Sequence, residues 1–303
     1  MKITIICPLY NCVKYIEKLN FNLMNQEKYK NEEVEIKYKL TESNDGSEDL
    51  LNKLNIDYEL IKKEDFSHSV TREKAAMNSD GDIIVFISQD VKMKNNLWLK
   101  NLIKPIIDNE CEASFSRQIC ENNSIEKYIR EKNYPNESRI VSKDDIKEYG
   151  LLTFFYSDAS SAIKTSVYKE INGYDGKDLI INEDMYIAYK IINSGYRIKY
   201  CSDSEVFHSH IFTLKSLYER YFDTGVFFKE NSHFLNYNGN SSGKNLAIYC
   251  FKRALNEKNI KVLINLLPNF GVRFIGNLLG KRYDKLPRKF LIYSSMNKKY
   301  WTK

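Results

Sequence analysis

The chain has 303 residues, 43% of them apolar and 28% charged, and its 46 basic and 40 acidic side chains leave a net charge of +6. This is the composition of a folded globular chain with room for one large domain or two modest ones, and it excludes a disordered protein. The six cysteines, Cys7, Cys12, Cys111, Cys120, Cys201 and Cys250, contain no C-x-x-C pair, which argues for reduced thiols in a cytoplasmic compartment and against a zinc site. The apolar opening, residues 3–7, is short and runs straight into Pro8, so it does not read as a secretory leader. Charge is placed unevenly: from Arg273 onward nine basic residues stand against one acid, Asp284, which leaves −2 for everything before. A basic tail of this kind suits an anionic membrane surface, nucleic acid or a solvated helix face. No nucleic-acid recognition motif accompanies it.

Residues 3–7 read as a first buried strand, broken by Pro8-Leu9-Tyr10-Asn11. Val13, Ile16, Leu19 and Leu23 then recur at helical spacing. Val34, Ile36, Tyr38 and Leu40 alternate with charged residues, which predicts a second strand with one wetter face. It ends in the turn-formers Thr41-Glu42-Ser43-Asn44-Asp45-Gly46-Ser47-Glu48-Asp49, with Ser47 the expected N-cap of a helix. Residues 58–61 predict a third strand, and Phe66-Ser67-His68-Ser69-Val70-Thr71-Arg72 leads into a short helix over 73–78. Asp80-Gly81 then turns the chain into residues 83–87. These five apolar residues are too few for a helix and rich in β-branched types, so they predict a strand buried on both faces. The strand ends in Ser88-Gln89-Asp90. Ligands of open α/β sheets bind beyond the carboxyl ends of the strands, and this polar end is where one is expected.

Four strand and helix units before residue 105 predict a parallel or mostly parallel sheet. No G-x-G-x-x-G follows the first strand and no G-x-x-x-x-G-K-[ST] occurs anywhere, so the phosphate sites of a dehydrogenase or a P-loop NTPase are missing. A nucleotide diphosphate here needs another anchor, and a divalent cation held by carboxylates is the chemically sensible one. Beyond Pro105 come shorter segments, 113–118 and 152–161, with polar stretches between them; such mixtures usually form the acceptor side of a pocket. Asn182-Glu183-Asp184-Met185 opens a helix with Met185, Ala188 and Ile192 on one face and a stop at Gly195. Acids at a helix N-terminus are favoured by the macrodipole, so Glu183 and Asp184 by themselves read as caps as readily as functional groups. Residues 197–201 and 205–208 predict two further strands. The second ends in His208-Ser209-His210, whose i, i+2 spacing turns both imidazoles to one side, as a metal or phosphate site needs. From Thr213 the chain is helical and amphipathic, with Leu214, Leu217, Tyr221 and Phe222 on one stripe, a Gly/Asn/Ser linker at 236–244, and helices over 246–255 and 260–267. Residues 262–280 are apolar but carry Asn265, Pro268, Asn269, Arg273 and Asn277, which argues against a membrane span. An interfacial helix, packing against the main domain, or a homodimer contact are the alternatives.

Seven motifs now stand in order. They are Cys7-Pro8-Leu9-Tyr10-Asn11, Asp45-Gly46-Ser47-Glu48-Asp49, Phe66-Ser67-His68 with Thr71-Arg72, Ser88-Gln89-Asp90, Arg117-Gln118, Asn182-Glu183-Asp184-Met185, and Val206-Phe207-His208-Ser209-His210 followed by Arg220-Tyr221-Phe222-Asp223-Thr224-Gly225. The series, spread over residues 3–230, resembles the family 2 glycosyltransferases with the A-type nucleotide-sugar fold, and more narrowly the bacterial rhamnosyltransferases among them. The resemblance implies an α/β fold: a single mostly parallel central sheet flanked by helices. The catalytic domain would span residues 1–212, with a nucleotide-binding half at 1–105 and an acceptor half at 106–212, and a C-terminal amphipathic helical region with a basic tail would span 213–303.

The resemblance also implies roles. Pro8, Tyr10 and Asn11 would shape the base and ribose pocket, with Glu42 or Asp45 bonding the pyrimidine or ribose; Asn44 stands where a second acid is usual, so which acid reads the base stays open. His68 and Arg72 would lie beside the nucleotide, where a planar guanidinium suits phosphate and base alike. The wider family carries Asp-x-Asp at the central strand end, whereas Ser88-Gln89-Asp90 matches the Thr-Gln-Asp form of the rhamnosyltransferase branch. Asp90 with His208 or His210 would hold Mg²⁺ or Mn²⁺, ions that complete their shells with water and phosphate oxygens. Asp184 would be the base of an inverting transfer, Glu183 would lie next to the acceptor, and Arg117 and Gln118 would lie by the donor. The implied donor is dTDP-L-rhamnose, and the implied acceptor a glycan or lipid-linked oligosaccharide at the inner membrane face. A UDP-hexose donor on the same fold, or a non-catalytic sugar-nucleotide or glycan-binding protein, are the alternatives.

Overall fold

The computed structural model describes residues 1–29, 31–237 and 240–302, the last stretch by its backbone alone as far as 242. The first part alternates strand and helix: β1 (Lys2–Leu9), α1 (Ile16–Met24), β2 (Glu33–Thr41), α2 (Ser47–Lys53), β3 (Tyr58–Ile61), α3 (His68–Met77), β4 (Ile83–Ile87), the two-residue β5 (Lys92–Met93) and α4 (Trp98–Ile107). A mixed part follows, with β6 (Ala113–Ile119), α5 (Ile125–Asn133), β7 (Arg139–Val141), α6 (Ile146–Tyr149), β8 (Ser160–Lys164), α7 (Thr165–Glu170), α8 (Glu183–Asn193) and β9 (Ile198–Phe207). Helices α9 (Leu214–Glu230), α10 (Asn240–Asn256), α11 (Ile260–Gly280) and α12 (Arg288–Ser294) complete the chain.

The strands form one sheet in the order β3-β2-β1-β4-β8-β6-β9-β5, with β7 paired to β9. β1 to β4 run parallel, β8 lies antiparallel between β4 and β6, and β9 runs parallel to β6. The sheet is therefore mostly parallel, as the order of elements predicts. β4 shows why it sits at the centre. Successive side chains of a strand point to opposite faces: Ile83, Val85 and Ile87 enter the core shared with α1, α2 and α4, while Ile84 and Phe86 enter the core shared with α3, α7, α8 and α9. Each such burial is worth roughly 1.5–3 kcal/mol, and both faces are dry. The chain leaves β1 towards β2 and β3 on one side and returns to β4 on the other, so a crevice opens where β1 and β4 end.

Several elements differ from the sequence expectation. β1 continues through Pro8 to Leu9, because β4 pairs only with residues 3–6 and leaves the side towards which Pro8 lacks an N–H free of a partner strand. Ser47 is the first residue of α2, not its N-cap; Gly46 takes that place at φ 84°, and the Ser47 hydroxyl accepts the Cys12 amide at 2.7 Å. α3 begins at His68, capped by Ser67 accepting the Val70 amide, five residues before the expected start. The two strands expected over 197–208 are one ten-residue strand whose register slips opposite Ser116 and Arg117. In the stretch read as a linker, residues 240–244 are already helical, and 238–239 lie outside the described residues.

The C-terminal helices pack on the α/β part of the chain and on one another. α9 and α11 touch backbone to backbone: a Cβ on Gly280 would come within 2.0 Å of the Phe222 carbonyl oxygen, and one on Gly225 within 2.3 Å of that of Asn277. At the same contact Arg273 of α11 donates to Glu126 of α5 at 2.6 Å, to the Tyr221 hydroxyl of α9 at 2.6 Å and to Asn269 at 2.8 Å.

Candidate active site

A cavity of about 1000 Å³ lies over the ends of β1 and β4 and is walled on its far side by α5, α8, α9 and the C-terminal tail. Pro8 and Tyr10 come from the end of β1, Ser88, Gln89 and Asp90 from β4, Gln118 from β6, and His208 and His210 from just beyond β9. His68 and Arg72 reach it from α3, and Glu183 and Asp184 from the first turn of α8, which Asn182 enters at φ 60°. Eleven expected site residues thus meet in one place.

Four do not line it. The Asn11 amide donates to Ser43 Oγ at 3.0 Å, Glu42 accepts the Lys63 amide at 2.9 Å, and Asp45 accepts the Val13 amide at 3.2 Å together with the Ser47 amide and hydroxyl. These residues stitch the loops after β1 and β2 to each other and to the chain after β3. Burial acts to raise the Asp45 carboxyl, but its bonds to Ser47 and Val13 outweigh that and hold it below the ordinary value. Arg117 is the fourth. It precedes Gln118 on β6, so its side chain takes the opposite face and pairs there with Glu205 at 3.2 Å.

Asp90, His208 and His210 converge: one donor atom from each lies within 4.8 Å of the others. His208 Nε2 stands 3.6 Å from one Asp90 oxygen, and His210 Nδ1 stands 3.6 Å from the other. Gln118 fixes the His208 ring. Its Nε2 donates to Ser157 at 2.7 Å and its Oε1 accepts from Arg130, so at 2.9 Å His208 Nδ1 must be the donor to that oxygen. The lone pair of Nε2 is then turned towards Asp90. Burial holds His208 well below its ordinary value of 6.5, so the ring is neutral, and burial lowers His210 as well. A neutral imidazole oriented through its second nitrogen, beside a carboxylate, is the form that binds a metal ion. The donor set fits a divalent cation. Gln118 therefore acts behind His208 as well as in the wall.

The two acids of α8 have different environments. Arg72, 3% exposed, donates to Glu183 at 2.8 Å. Burial alone would raise Glu183, but Arg72 and then His68 hold it below the usual carboxylate range. The guanidinium thus reaches the cavity already paired with Glu183. Asp184 forms no ion pair among the described residues: burial first, then the charges of Glu183 and Asp158, push it up to about 8. Its Oδ1 accepts the Met185 amide at 2.8 Å, which holds the carboxyl at the helix start. Two carboxylates driven apart in this way are the usual mark of an ionised positioning group beside a proton-transfer group.

Gln89 proves to be a clamp. Its Oε1 accepts the Tyr10 amide at 2.8 Å and its Nε2 donates to the Tyr10 carbonyl at 2.9 Å, tying the ends of β1 and β4 together. The sequence reading also missed Asp158, Arg130 and Arg220. Asp158 is buried and bonded by Tyr174 at 2.6 Å. Arg220 lies in the cavity wall, close enough to act on the charge of Asp184, Glu183 and both histidines, and forms no ion pair among the described residues. The Arg-Tyr-Phe-Asp-Thr-Gly run was a signal for Arg220; nothing local marks Arg130 or Asp158. Nor does anything local mark Asn297 and Lys298, which reach the cavity from the chain end.

A profile of the family described as Glycosyl transferase family 2 matches residues 4–172, more than half of the chain. The O-antigen chain rhamnosyltransferase RfbN of Salmonella typhimurium is 33% identical over 99% of this chain and 96% of its own length. The chain is a family 2 glycosyltransferase. A second relative of this glycosyltransferase, the O-antigen chain rhamnosyltransferase WbaN of Salmonella anatum, is 34% identical over 80% of this chain and 78% of its own. Among solved structures, S. aureus TarS in complex with UDP-GlcNAc matches with a TM-score of 0.55 at 19% identity, over 98% of this chain and 84% of that one. The mannosyltransferase PcManGT from Pyrobaculum calidifontis, in complex with GDP-Man and Mn²⁺, matches with a TM-score of 0.56 at 16% identity, over 99% and 87%. At such identities the likeness speaks for the fold, and the glycosyltransferase has the A-type fold that its motifs imply.

Proposed function

We propose that the enzyme transfers L-rhamnose from dTDP-L-rhamnose, with inversion, to a hydroxyl of a polysaccharide intermediate of the O-antigen type, carried on a lipid at the cytoplasmic face of the membrane. The observation that carries the sugar and the acceptor class is the likeness to two O-antigen chain rhamnosyltransferases, one of them along nearly the whole chain. The chemistry rests on the cavity, where a carboxyl of raised pKa shares one space with a cation-binding triad.

The acceptor oxygen attacks the anomeric carbon as the bond from that carbon to the diphosphate oxygen breaks, and the nucleoside diphosphate leaves with the electron pair. Asp184, once ionised, takes the acceptor proton, a contribution worth roughly 10²–10⁴-fold. Glu183, held by Arg72, keeps a negative charge beside Asp184 and so maintains its basicity. Asp90, His208 and His210 would hold a divalent cation, which neutralises charge on the departing diphosphate. Two imidazoles beside one carboxylate suit Mn²⁺ better than Mg²⁺. Arg220 and Arg130 add fixed positive charge to the same wall.

Thermal unfolding of the purified chain with Mn²⁺ and dTDP-rhamnose, UDP-GlcNAc, UDP-glucose or GDP-mannose tests the donor. Ligands stabilise the state they bind, by about 2.7 kcal/mol at a hundredfold excess over Kd. The expected result is a larger rise with the dTDP sugar than with any other at equal concentration. Equal or larger rises with UDP or GDP sugars remove the rhamnose assignment.

A further inference from the structure

Helix α11 has two unlike faces. One is packed into the protein, with Asn269, Arg273, Gly276 and Gly280 buried and its backbone against α9. The other is apolar and open: Ile264 is 71% exposed, Leu267 81% and Phe274 70%, with Ile260, Ile275 and Leu278 also exposed. Ile260, Ile264, Leu267, Phe274 and Leu278 share the helical repeat, so they form one stripe along the whole helix. Single apolar residues on a surface need no explanation, but a continuous stripe does. Length and composition alone would let α11 cross a membrane, yet its inner face is occupied by α9, so it lies along the protein surface.

Charge decides what covers the stripe. Lys258 and Lys261 are exposed at its N-terminal end, and Arg282, Lys285 and Lys289 just beyond its C-terminal end. None of these five forms an ion pair among the described residues, whereas the nearby acids are already taken, Glu257 by Lys127 and Arg253 and Asp284 by Lys229. A second copy laid on the stripe, parallel or antiparallel, would set one basic end against another. An anionic lipid surface meets both ends favourably.

We propose that this face docks on an anionic phospholipid bilayer, with α11 in the plane of the interface, its stripe at the acyl boundary and the flanking Lys and Arg at the headgroup phosphates. The proposal goes beyond the donor and acceptor reading and does not depend on it, because vesicle binding is read without turnover. The test is co-sedimentation of the full chain with vesicles of phosphatidylcholine alone or mixed with phosphatidylglycerol. Binding is expected with the mixed vesicles, falling as salt is raised, and reduced at least about tenfold by Leu267→Glu with Phe274→Glu. Each basic residue removed, for example Lys261→Gln or Lys285→Gln, should weaken binding roughly fivefold. A Phe274→Trp variant gives a second reading, a blue shift of emission on the mixed vesicles only. No binding to mixed vesicles, binding unchanged in the double variant, or a lipid-free dimer that the same substitutions disperse would each overturn the proposal.

Discussion

Asp184 and Glu183 are neighbours in sequence, yet Arg72 ionises one while the other is pushed up to about 8. As a base Asp184 must lose its proton, so turnover in a pH series should rise with pH towards that value and level off above it. Asp184→Asn should keep nucleotide binding and lower kcat about 10²–10⁴-fold; unchanged turnover would falsify the base assignment. Stability should move the opposite way to activity. Because the folded value lies above the ordinary 3.8, the stability that Asp184 contributes is fully present below pH 3.8 and is lost as the pH rises through about 8. Asp184→Asn should therefore raise Tm relative to the parent at pH 8 and not at pH 4, which paired melts at the two values will show. His208 makes a second case. Gln118→Leu removes the acceptor that fixes its tautomer, and Mn²⁺ affinity, titrated by thermal shift without donor, should fall about 10–100-fold.

At the scale of elements, the site depends on three short segments that the sheet brings side by side. The ends of β1 and β4 are locked by the Gln89 amide, so a residue that looked like a marker of donor type first serves to hold Tyr10. The start of α8 is aimed by the left-handed Asn182, and α9 is set at its height by glycine contacts with α11. Gly280→Val tests the last of these. Its Cβ would meet the Phe222 carbonyl at 2.0 Å, an overpacking that costs typically 1–3 kcal/mol, so Tm should drop. Because α9 carries Arg220 and Tyr221, turnover should fall with it, while Gly271→Ala, which meets nothing within 4 Å, should leave turnover unchanged and raise Tm slightly, as the better helix former.

Across the whole molecule, the chain end returns to its beginning. Asp223 of α9 accepts the Met296 and Asn297 amides at 3.0 Å each, and Lys299 donates to the carbonyls of Lys63 and Phe66, so the tail spans from α9 to the loop after β3. Part of the basic tail thus belongs to the cavity, while the open charge at the ends of α11 faces outward. Asp223→Ala should release the tail and raise the donor KM about tenfold, the equivalent of a lost charge-assisted hydrogen bond, with kcat changed less. Steady-state kinetics with varied donor will separate the two, and a fall in kcat alone would contradict it.

What the sequence determined by itself is the first four strands, β1 to β4, and the positions of the acids and histidines at the ends of strands and turns. Alternation in β2 and the dry run of β4 are local patterns, and local patterns report the faces a segment buries. Asp90, His208 and the Glu183 and Asp184 pair were legible for the same reason, since each stands where a strand or turn hands over to the next element. The tertiary structure alone decided which side chains meet. Arg72 and Glu183, 111 positions apart, form an ion pair, Gln118 reaches across to His208, and the last residues of the chain wall the cavity built by the first. It also turned Arg117 away and left Glu42 and Asp45 to hold loops, because the face a side chain takes and the partners it finds there depend on register and packing between segments, which no single segment encodes.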